Sequence, residues 1–346
     1  MSLADLPAID DPLIPEHFPG RRNVVEPICD RLRQAELLSS QVVGGPRSGK
    51  TSLLRYLASE CAEAALGRAT HLIRVYVDAV PLGPHSAPTQ FWRLAFRELR
   101  TSTAGGTMLR QNAELAAAFD RALDRSTDGT LDLFDLQDLF DEFGKARRPV
   151  VLLVDEFDTV IGNPHFLPPA DFFNQVRNLC NRTPRGLAFV VTTGRPLSDV
   201  GATAAGPSPP YNHFLTFVLS PLDETELRTR LAWLAERAGV TVSEDAWRAI
   251  AQASCGQPML AGCLARRLVE ARAHGAGFGP TQMEEIIADP DGPFAQLHQA
   301  ILAALNARER QALQAWLADP RSVTEAQGVL LRRLGKFALL PPGVAL

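Results

Sequence analysis

One short segment constrains the fold of this chain more than any other. Residues 41–51 read Gln-Val-Val-Gly-Gly-Pro-Arg-Ser-Gly-Lys-Thr, and the pattern G-x-x-x-x-G-K-T runs from Gly44 to Thr51. An apolar run precedes the pattern, and a helical run follows it at 52–57. A glycine-bracketed loop between a strand and a helix is typical of phosphate binding, because backbone N–H groups and the positive end of the helix face the anion. The alternative is a plain glycine-rich turn.

The residue types in this loop predict separate roles. Gly44 and Gly49 can adopt backbone angles that are closed to other residues, which lets consecutive N–H groups turn toward a phosphate. We expect Lys50 to reach the β- and γ-phosphates and the Thr51 hydroxyl to hold Mg²⁺. The candidate nucleotide-binding residues are Gly44, Gly45, Pro46, Arg47, Ser48, Gly49, Lys50, Thr51 and Ser52. The pattern assigns no individual role to Pro46 or Arg47.

A second candidate site follows an apolar run of five residues, 150–154, which ends in Asp155-Glu156. An uninterrupted apolar run predicts a strand that is buried on both faces of a parallel sheet. Carboxylates at the end of such a strand lie where α/β sheets bind ligands. We expect Asp155 to hold Mg²⁺ through water and Glu156 to orient the attacking water or accept its proton. The alternative is a solvated strand end.

A third candidate site follows the apolar strand predicted at 187–193. Thr192, Thr193 and Arg195 are candidates for sensing a γ-phosphate, since they end the neighbouring strand. Thr193 would orient water and Arg195 would add positive charge. The alternative is an ordinary turn after a buried strand. Arg182 or Arg185 could also act on a neighbouring subunit as an arginine finger, although surface arginines are more often solvated.

The order of predicted elements defines the fold class. Strands and helices alternate up to a last strand at 215–219, which predicts an α/β fold with a parallel sheet and helices on both faces. From Leu222 onward the pattern predicts helices only. A linker is predicted at 275–293, and three helices follow it, the last at 324–334 with Gly335 as the residue that stops it.

Composition excludes several classes of protein. The 346 residues are 46% hydrophobic and 21% charged, with a net charge of −4, which describes a globular protein without a general attraction to nucleic acid or anionic membrane. Five cysteines without paired spacing favour free thiols in a reducing cytoplasm. The chain has no run of about 18 apolar residues, the length that would predict a membrane span. We therefore expect a cytoplasmic location and no membrane partner.

Two classes of nucleotide-binding protein fit poorly. A GTPase should carry a guanine-reading N/T-K-x-D segment after a strand, and the chain has none. Small-molecule kinases usually lack a long all-helical tail.

Several segments together resemble a known family, the STAND branch of AAA+-related P-loop ATPases, which includes NB-ARC signalling ATPases. The segments are Phe18-Pro19-Gly20-Arg21, similar to an F-x-G-R motif; Gly44–Thr51, the Walker A motif; Val150–Asp158, the Walker B motif; Thr192-Thr193-Gly194-Arg195, similar to a T-T-R sensor with an inserted glycine; and Gly256-Gln257-Pro258, similar to the G-x-P motif of a helical lid.

The resemblance implies further expectations. Gly20 and Arg21 would lie by the adenine and Pro258 near the nucleotide, with ATP or ADP and Mg²⁺ as cofactors. It implies an extended segment at 1–17, a P-loop ATPase core at 18–220, a helical lid at 221–275 and a winged-helix-like domain at 276–346. It also implies an ATP-hydrolysing molecular switch that assembles with itself or with a protein partner.

Two other functions stay open on the sequence. One is a DNA-handling AAA+ ATPase of the origin-recognition or transposition-regulator type, with Arg332, Arg333 and Lys336 contacting DNA. The acidic net charge and Glu325 on the same predicted helix argue against it. The other is a scaffold that binds nucleotide without turnover.

Overall fold

The computed structural model describes residues 15–18, 20–34, 36–67, 71–166, 172–182, 186–200, 212–336 and 340. Five strands form the sheet: β1 (Ser40–Val43), β2 (Ile73–Asp78), β3 (Val150–Asp155), β4 (Leu187–Thr193) and β5 (Leu215–Val218). The predicted strand at 187–193 is confirmed with both ends in place.

The sheet has the strand order β2-β3-β4-β1-β5. The pairings of β1 with β4, β2 with β3 and β3 with β4 are all parallel. Every residue of β3 and β4 is buried, as expected for central strands that are covered on both faces. The predicted fold class, a parallel P-loop NTPase sheet with helices followed by a helical C-terminal region, is confirmed.

Ten helices accompany the sheet among the described residues up to 200: α1 (Arg22–Arg33), α2 (Lys50–Ala58), α3 (Glu63–Leu66), α4 (Pro88–Thr101), α5 (Thr103–Gln111), α6 (Ala113–Asp128), α7 (Leu133–Lys145), α8 (Asp158–Ile161), α9 (Phe172–Arg182) and α10 (Leu197–Val200). Short 3-10 helices lie at Pro15–His17, Glu60–Ala62 and Pro164–Phe166. The main core lies between the sheet and these helices. Its centre is Trp92, whose ring contacts Phe91, Phe96 and Phe140.

The C-terminal region is helical throughout its described part. Its helices are α11 (Glu224–Arg237), α12 (Glu244–Ser254), α13 (Pro258–Ala273), α14 (Pro280–Ala288), α15 (Pro293–Ala304), α16 (Ala307–Ala318) and α17 (Glu325–Lys336), with a 3-10 helix at Pro320–Ser322. Helices α11 to α15 share one hydrophobic cluster, and residues from 305 onward form another.

Two predictions in this region were wrong. The predicted linker at 275–293 contains α14, whose Met283 is buried in the cluster shared by α11 to α15. Gly335 does not end the last helix, because α17 continues to Lys336. In both places the helix is stabilised by buried apolar side chains, although nearby glycines favour its end. These side chains are Met283 in α14 and Leu331 and Leu334 in α17.

The chain divides into two compact units. One contains residues 1–21, 44–52 and 218–346, and the other contains residues 22–43 and 53–217. The predicted domain boundaries at 17, 220 and 275 stay predictions. The described part of 276–346 holds no strand, and residues 337–339 and 341–346 of the predicted winged-helix-like domain lie outside the described residues. No helix in the described ranges has the length and hydropathy of a membrane span.

Candidate nucleotide-binding site

The phosphate loop, defined here as Gly44–Thr51, joins β1 to α2, which begins at Lys50. Gly44 is closely packed, since a Cβ atom there would lie 2.5 Å from Ser48 Oγ and 3.2 Å from Leu219 Cβ. Arg47 and Gly49 have left-handed backbone angles, with φ of 58° and 96°. Gly49 therefore has a backbone angle of the kind that the glycine pattern predicts, whereas Gly44 has no positive φ and is instead closely packed.

Lys50 is folded onto its own loop. Its side chain is buried, and Nζ donates to the carbonyl oxygens of Gly44 and Gly45 at 3.0 and 3.2 Å. The Ser48 hydroxyl is also buried and has no hydrogen-bond partner among the residues the structure describes. A fixed cation beside an unsatisfied buried hydroxyl is a setting that an anionic ligand would complete.

Two side chains from outside the phosphate loop donate to its carbonyl oxygens. Arg21 Nη2 donates to Ser48 O at 3.0 Å, and Gln257 Nε2 donates to Arg47 O at 3.0 Å. Gln257 is the N-cap of α13, and its Oε1 accepts from the Leu260 N–H at 2.9 Å. The phosphate loop is thereby bonded both to the chain before α1 and to the start of a C-terminal helix.

Arg21 is held in a strained backbone by several bonds. Gly20 and Arg21 are both left-handed, with φ of 69° and 54°. The Arg21 N–H donates to Glu226 Oε1 at 2.6 Å, and its guanidinium also donates to Ser220 O. Burial lowers the pKa of Arg21 to about 10, and Glu226 partly offsets the shift. Arg230 on the same helix as Glu226 also has a pKa lowered to about 10, by burial and then by the charge of Arg21. Both arginines remain charged at neutral pH.

The predicted acidic site lies in the other unit, at the end of β3. The Asp155 side chain is buried and accepts hydrogen bonds from the hydroxyl groups of Thr192 and Tyr76. Its Oδ1 also accepts from the Glu156 N–H at 3.1 Å. The pKa of Tyr76 is raised, first by burial and then by the charge and hydrogen bond of Asp155. Tyr76 is thus a donor over the whole physiological range.

Glu156 has an unusual backbone for a residue with a Cβ atom. Its φ is 50°, and its N–H donates to Thr192 Oγ1 at 3.2 Å. The same Thr192 hydroxyl donates to Asp155. Left-handed residues of this kind cost roughly 1–2 kcal/mol and concentrate at functional sites. Its side chain is partly exposed.

The three sensor candidates have different surroundings. Thr192 is the one that contacts Asp155, whereas the buried Thr193 hydroxyl accepts from Gln41 Nε2 at 2.7 Å. Arg195 is partly exposed. The inserted Gly194 donates its N–H to Asp158 Oδ2 at 2.6 Å. Of the two arginine-finger candidates, Arg185 and the side chain of Arg182 lie outside the described residues.

Comparison with known families adds a decisive observation. Residues 38–198, which include the phosphate loop, Asp155, Glu156 and Arg195, match the family model of the AAA domain. Over this segment, which is less than half of the chain, the protein is similar to the AAA domain. No curated protein matches the chain in sequence. The narrower assignment to STAND ATPases stays a prediction.

Solved structures share the fold over nearly the whole chain. A Walker-type ATPase of Pyrococcus abyssi is 16% identical with a TM-score of 0.56, and the match covers 97% of this chain and 93% of that one. The ORC2 protein of Aeropyrum pernix, in ADPNP–ADP complexes, is 15% identical with a TM-score of 0.50, over 97% and 93% of the two chains. At this identity the similarity shows the fold alone.

The residues of the matched segment have the chemistry that a magnesium nucleotide requires. The closely packed Gly44 and the unpaired Ser48 hydroxyl shape a phosphate cradle. Thr51 has a partly buried hydroxyl, and Asp155 has a buried carboxylate whose Oδ2 accepts a single hydrogen bond, from Tyr76. Both groups are oxygen ligands of the kind that Mg²⁺ prefers. Pro258 is buried at the first turn of α13, and Ser52 is buried in α2.

Sequence reasoning missed three residues at these sites. Gln257 lies inside the G-x-P motif, which predicts no role for it, and Glu226 and Gln41 belong to no nucleotide-binding motif. The sequence holds two weak signals. Asp223-x-x-Glu226 is a capping-box pattern before a helix, and Gln41 is a polar residue in the apolar run that precedes the phosphate loop.

Proposed function

We propose that the chain is an ATP-binding and ATP-hydrolysing switch whose nucleotide state controls the arrangement of its domains and its assembly with a partner. One observation carries the proposal: Arg21 and Gln257 donate hydrogen bonds to carbonyl oxygens of the phosphate loop. Any rearrangement of the loop by a nucleotide would change these bonds. The STAND assignment, a cytoplasmic location and the domain limits 1–17, 18–220, 221–275 and 276–346 belong to this proposal.

The phosphate loop would bind the nucleotide through its N–H groups. Lys50 would exchange the Gly44 and Gly45 carbonyls for β- and γ-phosphate oxygens, because charged acceptors form stronger hydrogen bonds than neutral carbonyls. Thr51 and, through water, Asp155 would hold Mg²⁺. The metal would neutralise negative charge on the phosphates. Gly20, Arg21 and Pro258 would line the base, as the family resemblance implies.

The end of β3 and β4 would supply the groups for hydrolysis. Glu156 is the candidate base or water-orienting group. The Thr192 hydroxyl donates to the Asp155 carboxylate and accepts from the Glu156 N–H. We therefore assign Thr192 the role of positioning these two acidic residues. Thr193 is buried against Gln41, which favours support of the strand end over contact with water. Arg195 is the candidate γ-phosphate sensor.

The switch would act through the lid helices. Gln257 caps α13 with one end of its amide and bonds Arg47 O with the other. Glu226, in the first turn of α11, bonds the Arg21 N–H. Both helix starts are therefore connected to residues that contact the phosphate loop, and a change in the loop would be transmitted to α11 and α13.

Nucleotide binding and turnover of two variants test the proposal. Lys50→Ala should lower ATP affinity at least about tenfold, because it removes a charged hydrogen bond worth about 1.5–3 kcal/mol. Glu156→Gln should keep ATP binding and lower kcat by about 10²-fold or more. Equal ATP affinity in wild type and Lys50→Ala would contradict the nucleotide site. Unchanged turnover in Glu156→Gln would contradict the assigned role of Glu156, and a wild-type protein without turnover would favour the scaffold.

A DNA-handling function is the second candidate, and one observation favours it. Arg332, Arg333 and Lys336 are all exposed on one end of α17. Glu325 begins the same helix. If these three side chains contact phosphates, a gel shift with duplex DNA should show binding that weakens steeply as the salt concentration rises. Replacing all three residues with alanine should abolish that binding. Binding that the triple variant retains would contradict this candidate.

A further inference from the structure

Gln41 is a buried polar side chain in β1, with 1% of its surface exposed. Its amide group uses its full hydrogen-bonding capacity. Nε2 donates to Thr193 Oγ1 at 2.7 Å and to Arg195 O at 3.0 Å. Oε1 accepts from the Leu197 N–H at 3.3 Å and from Thr216 Oγ1 at 3.0 Å. One side chain thus joins β1, the end of β4, the segment that follows β4, and β5.

The orientation of this amide is fixed by its partners. A backbone carbonyl such as Arg195 O can only accept, and a backbone N–H such as that of Leu197 can only donate. Rotating the Gln41 amide by half a turn would place like groups against each other at both positions. No other residue type of this size supplies two donors and two acceptors in this arrangement.

The segment that Gln41 holds is the sensor loop, defined here as residues 193–197. Its Gly194 N–H is held from the other side by Asp158 Oδ2 at 2.6 Å. The backbone is therefore fixed immediately before Arg195, at Arg195 itself and two residues after it. A Cβ atom on Gly194 would lie 3.7 Å from Asp158 Oδ2, an ordinary contact, so packing against Asp158 does not require glycine there. Hydrogen bonds to the backbone, rather than a tight turn, set the position of Arg195.

We propose that Gln41 is a positioning residue that fixes the sensor loop for ATP hydrolysis and joins it to β5. The inference rests on the proposed ATPase function. Gln41 acts through the Arg195 backbone, so its loss would displace the Arg195 side chain while the phosphate loop keeps its own bonds. Hydrolysis should then fall while ATP binding persists. The bond to Thr216 connects the same amide to the strand that leads into residues 218–346.

Backbone hydrogen exchange tests the anchoring without any need for turnover. Gln41→Met removes the amide at nearly constant volume, and exchange in residues 194–197 should become at least about tenfold faster, as expected for local opening. The matched control is Ser39→Ala. Ser39 is also buried and its Oγ accepts from the Phe189 N–H at 3.1 Å, at the other end of the β1–β4 pair. It should leave exchange in the sensor loop unchanged.

Steady-state kinetics tests the catalytic consequence. Gln41→Met should lower kcat at least about tenfold with KM for ATP within about twofold of wild type. If Gln41 acts through Arg195, the double variant with Arg195→Ala should be no slower than the slower single variant. Ser39→Ala reports the effect of lost stability alone and should keep kcat. If Gln41→Met does not fold, Gln41→Glu keeps the length and the acceptors but, as a carboxylate, lacks both N–H donors.

The possible outcomes separate this inference from the proposed function. Unchanged exchange in Gln41→Met overturns the anchoring. Faster exchange with unchanged kcat, or additive losses in the double variant, overturns the positioning role. A wild-type protein that binds ATP without turnover contradicts the proposed hydrolysis and with it the catalytic half of the inference, while the exchange result still decides the anchoring.

Discussion

At the scale of single residues, left-handed backbone marks the candidate sites. Five described residues with a Cβ atom have positive φ: Arg21, Arg47, Arg147, Glu156 and Cys255. Arg47 belongs to the phosphate loop, Arg21 donates to that loop, and Glu156 directly follows β3. Each such residue costs roughly 1–2 kcal/mol, which surrounding bonds must offset. For Arg21 those are the hydrogen bonds that it donates to Glu226, Ser220 and Ser48.

Gly20 permits the approach of Glu226 to Arg21, and its substitution tests that contact. A Cβ atom at Gly20 would lie 2.7 Å from Glu226 Cγ, and φ is 69°. Gly239 has nearly the same φ, 66°, with nothing within 4 Å, and is a matched control. We expect Gly239→Ala to lower the free energy of unfolding by about 1 kcal/mol. Gly20→Ala should cost a further 1–3 kcal/mol, roughly the cost of overpacking, and should also weaken ATP binding. Equal losses in the two variants, measured by denaturant unfolding, would contradict the contact.

Cysteine reactivity tests the burial of the thiols. Burial raises the pKa of Cys29 to about 11 and that of Cys180 to about 12, while Cys255 is exposed. At pH 8 we expect iodoacetamide to modify Cys255 well before Cys29 or Cys180, as mass spectrometry of peptides would reveal. Because the folded state binds these two protons more tightly than the unfolded state, the stability they contribute is full below pH 8 and falls as pH rises toward 12. Cys255→Ser should remove the early modification, and early labelling of Cys180 would contradict its burial.

Sequence patterns predicted residues whose chemistry is local. Gly44, Lys50 and Thr51 follow from one loop pattern, and Asp155 follows from a strand end. Gln41 and Glu226 could not be predicted in the same way, because their bonds join residues more than 150 positions apart in the chain. Nothing near them in the sequence records those partners.

At the scale of elements, the capping box of α11 has a second task. Glu226 accepts from the Asp223 N–H at 3.3 Å, as its position in the box requires, and also from the Arg21 N–H at 2.6 Å. Glu309 occupies the same position in the box of α16, where it accepts from the Asn306 N–H at 2.8 Å. Each glutamate therefore makes the same capping bond in its own helix, but only Glu226 also accepts a hydrogen bond from Arg21.

This pair predicts a difference between stability and binding. Glu226→Ala and Glu309→Ala should each lower the free energy of unfolding by about 1 kcal/mol or more, since each loses a capping bond. Only Glu226→Ala should weaken ATP binding, because it also releases Arg21 from its strained position beside Ser48. Calorimetric titration with ATP measures the difference. Equal ATP affinity in the two variants would show that Arg21 does not depend on Glu226.

The elements that the sequence predicted best are the buried strands. β3 and β4 are continuous apolar runs, and a run of that length bounded by polar residues has few other structures available. The segment 275–293, which holds four glycines and three prolines, is predicted as a linker. In the structure Pro280 begins α14, where a missing N–H costs nothing, and Gln282 accepts from the Gly279 N–H. Burial of Met283 in a distant cluster decided the outcome, and local sequence does not report it.

At the scale of the whole molecule, the two compact units divide the proposed chemistry. The phosphate loop belongs to the unit with the C-terminal helices, whereas Asp155, Glu156 and the sensor loop belong to the other. Each unit therefore carries part of the residues that we propose for nucleotide binding and hydrolysis.

The state of the γ-phosphate should then change the particle as a whole. Glu156→Gln, which we expect to bind ATP and hydrolyse it slowly, should sediment differently with saturating ATP than with ADP, because the bonds of the phosphate loop to Arg21 and Gln257 depend on what the loop holds. A change in mass would indicate self-assembly, and a change in frictional ratio at constant mass would indicate domain rearrangement. Lys50→Ala is the control and should sediment identically with either nucleotide. Identical sedimentation of Glu156→Gln with ATP and with ADP, at concentrations where both are bound, would contradict the switch, because a ligand with no differential effect on two states shifts no equilibrium between them.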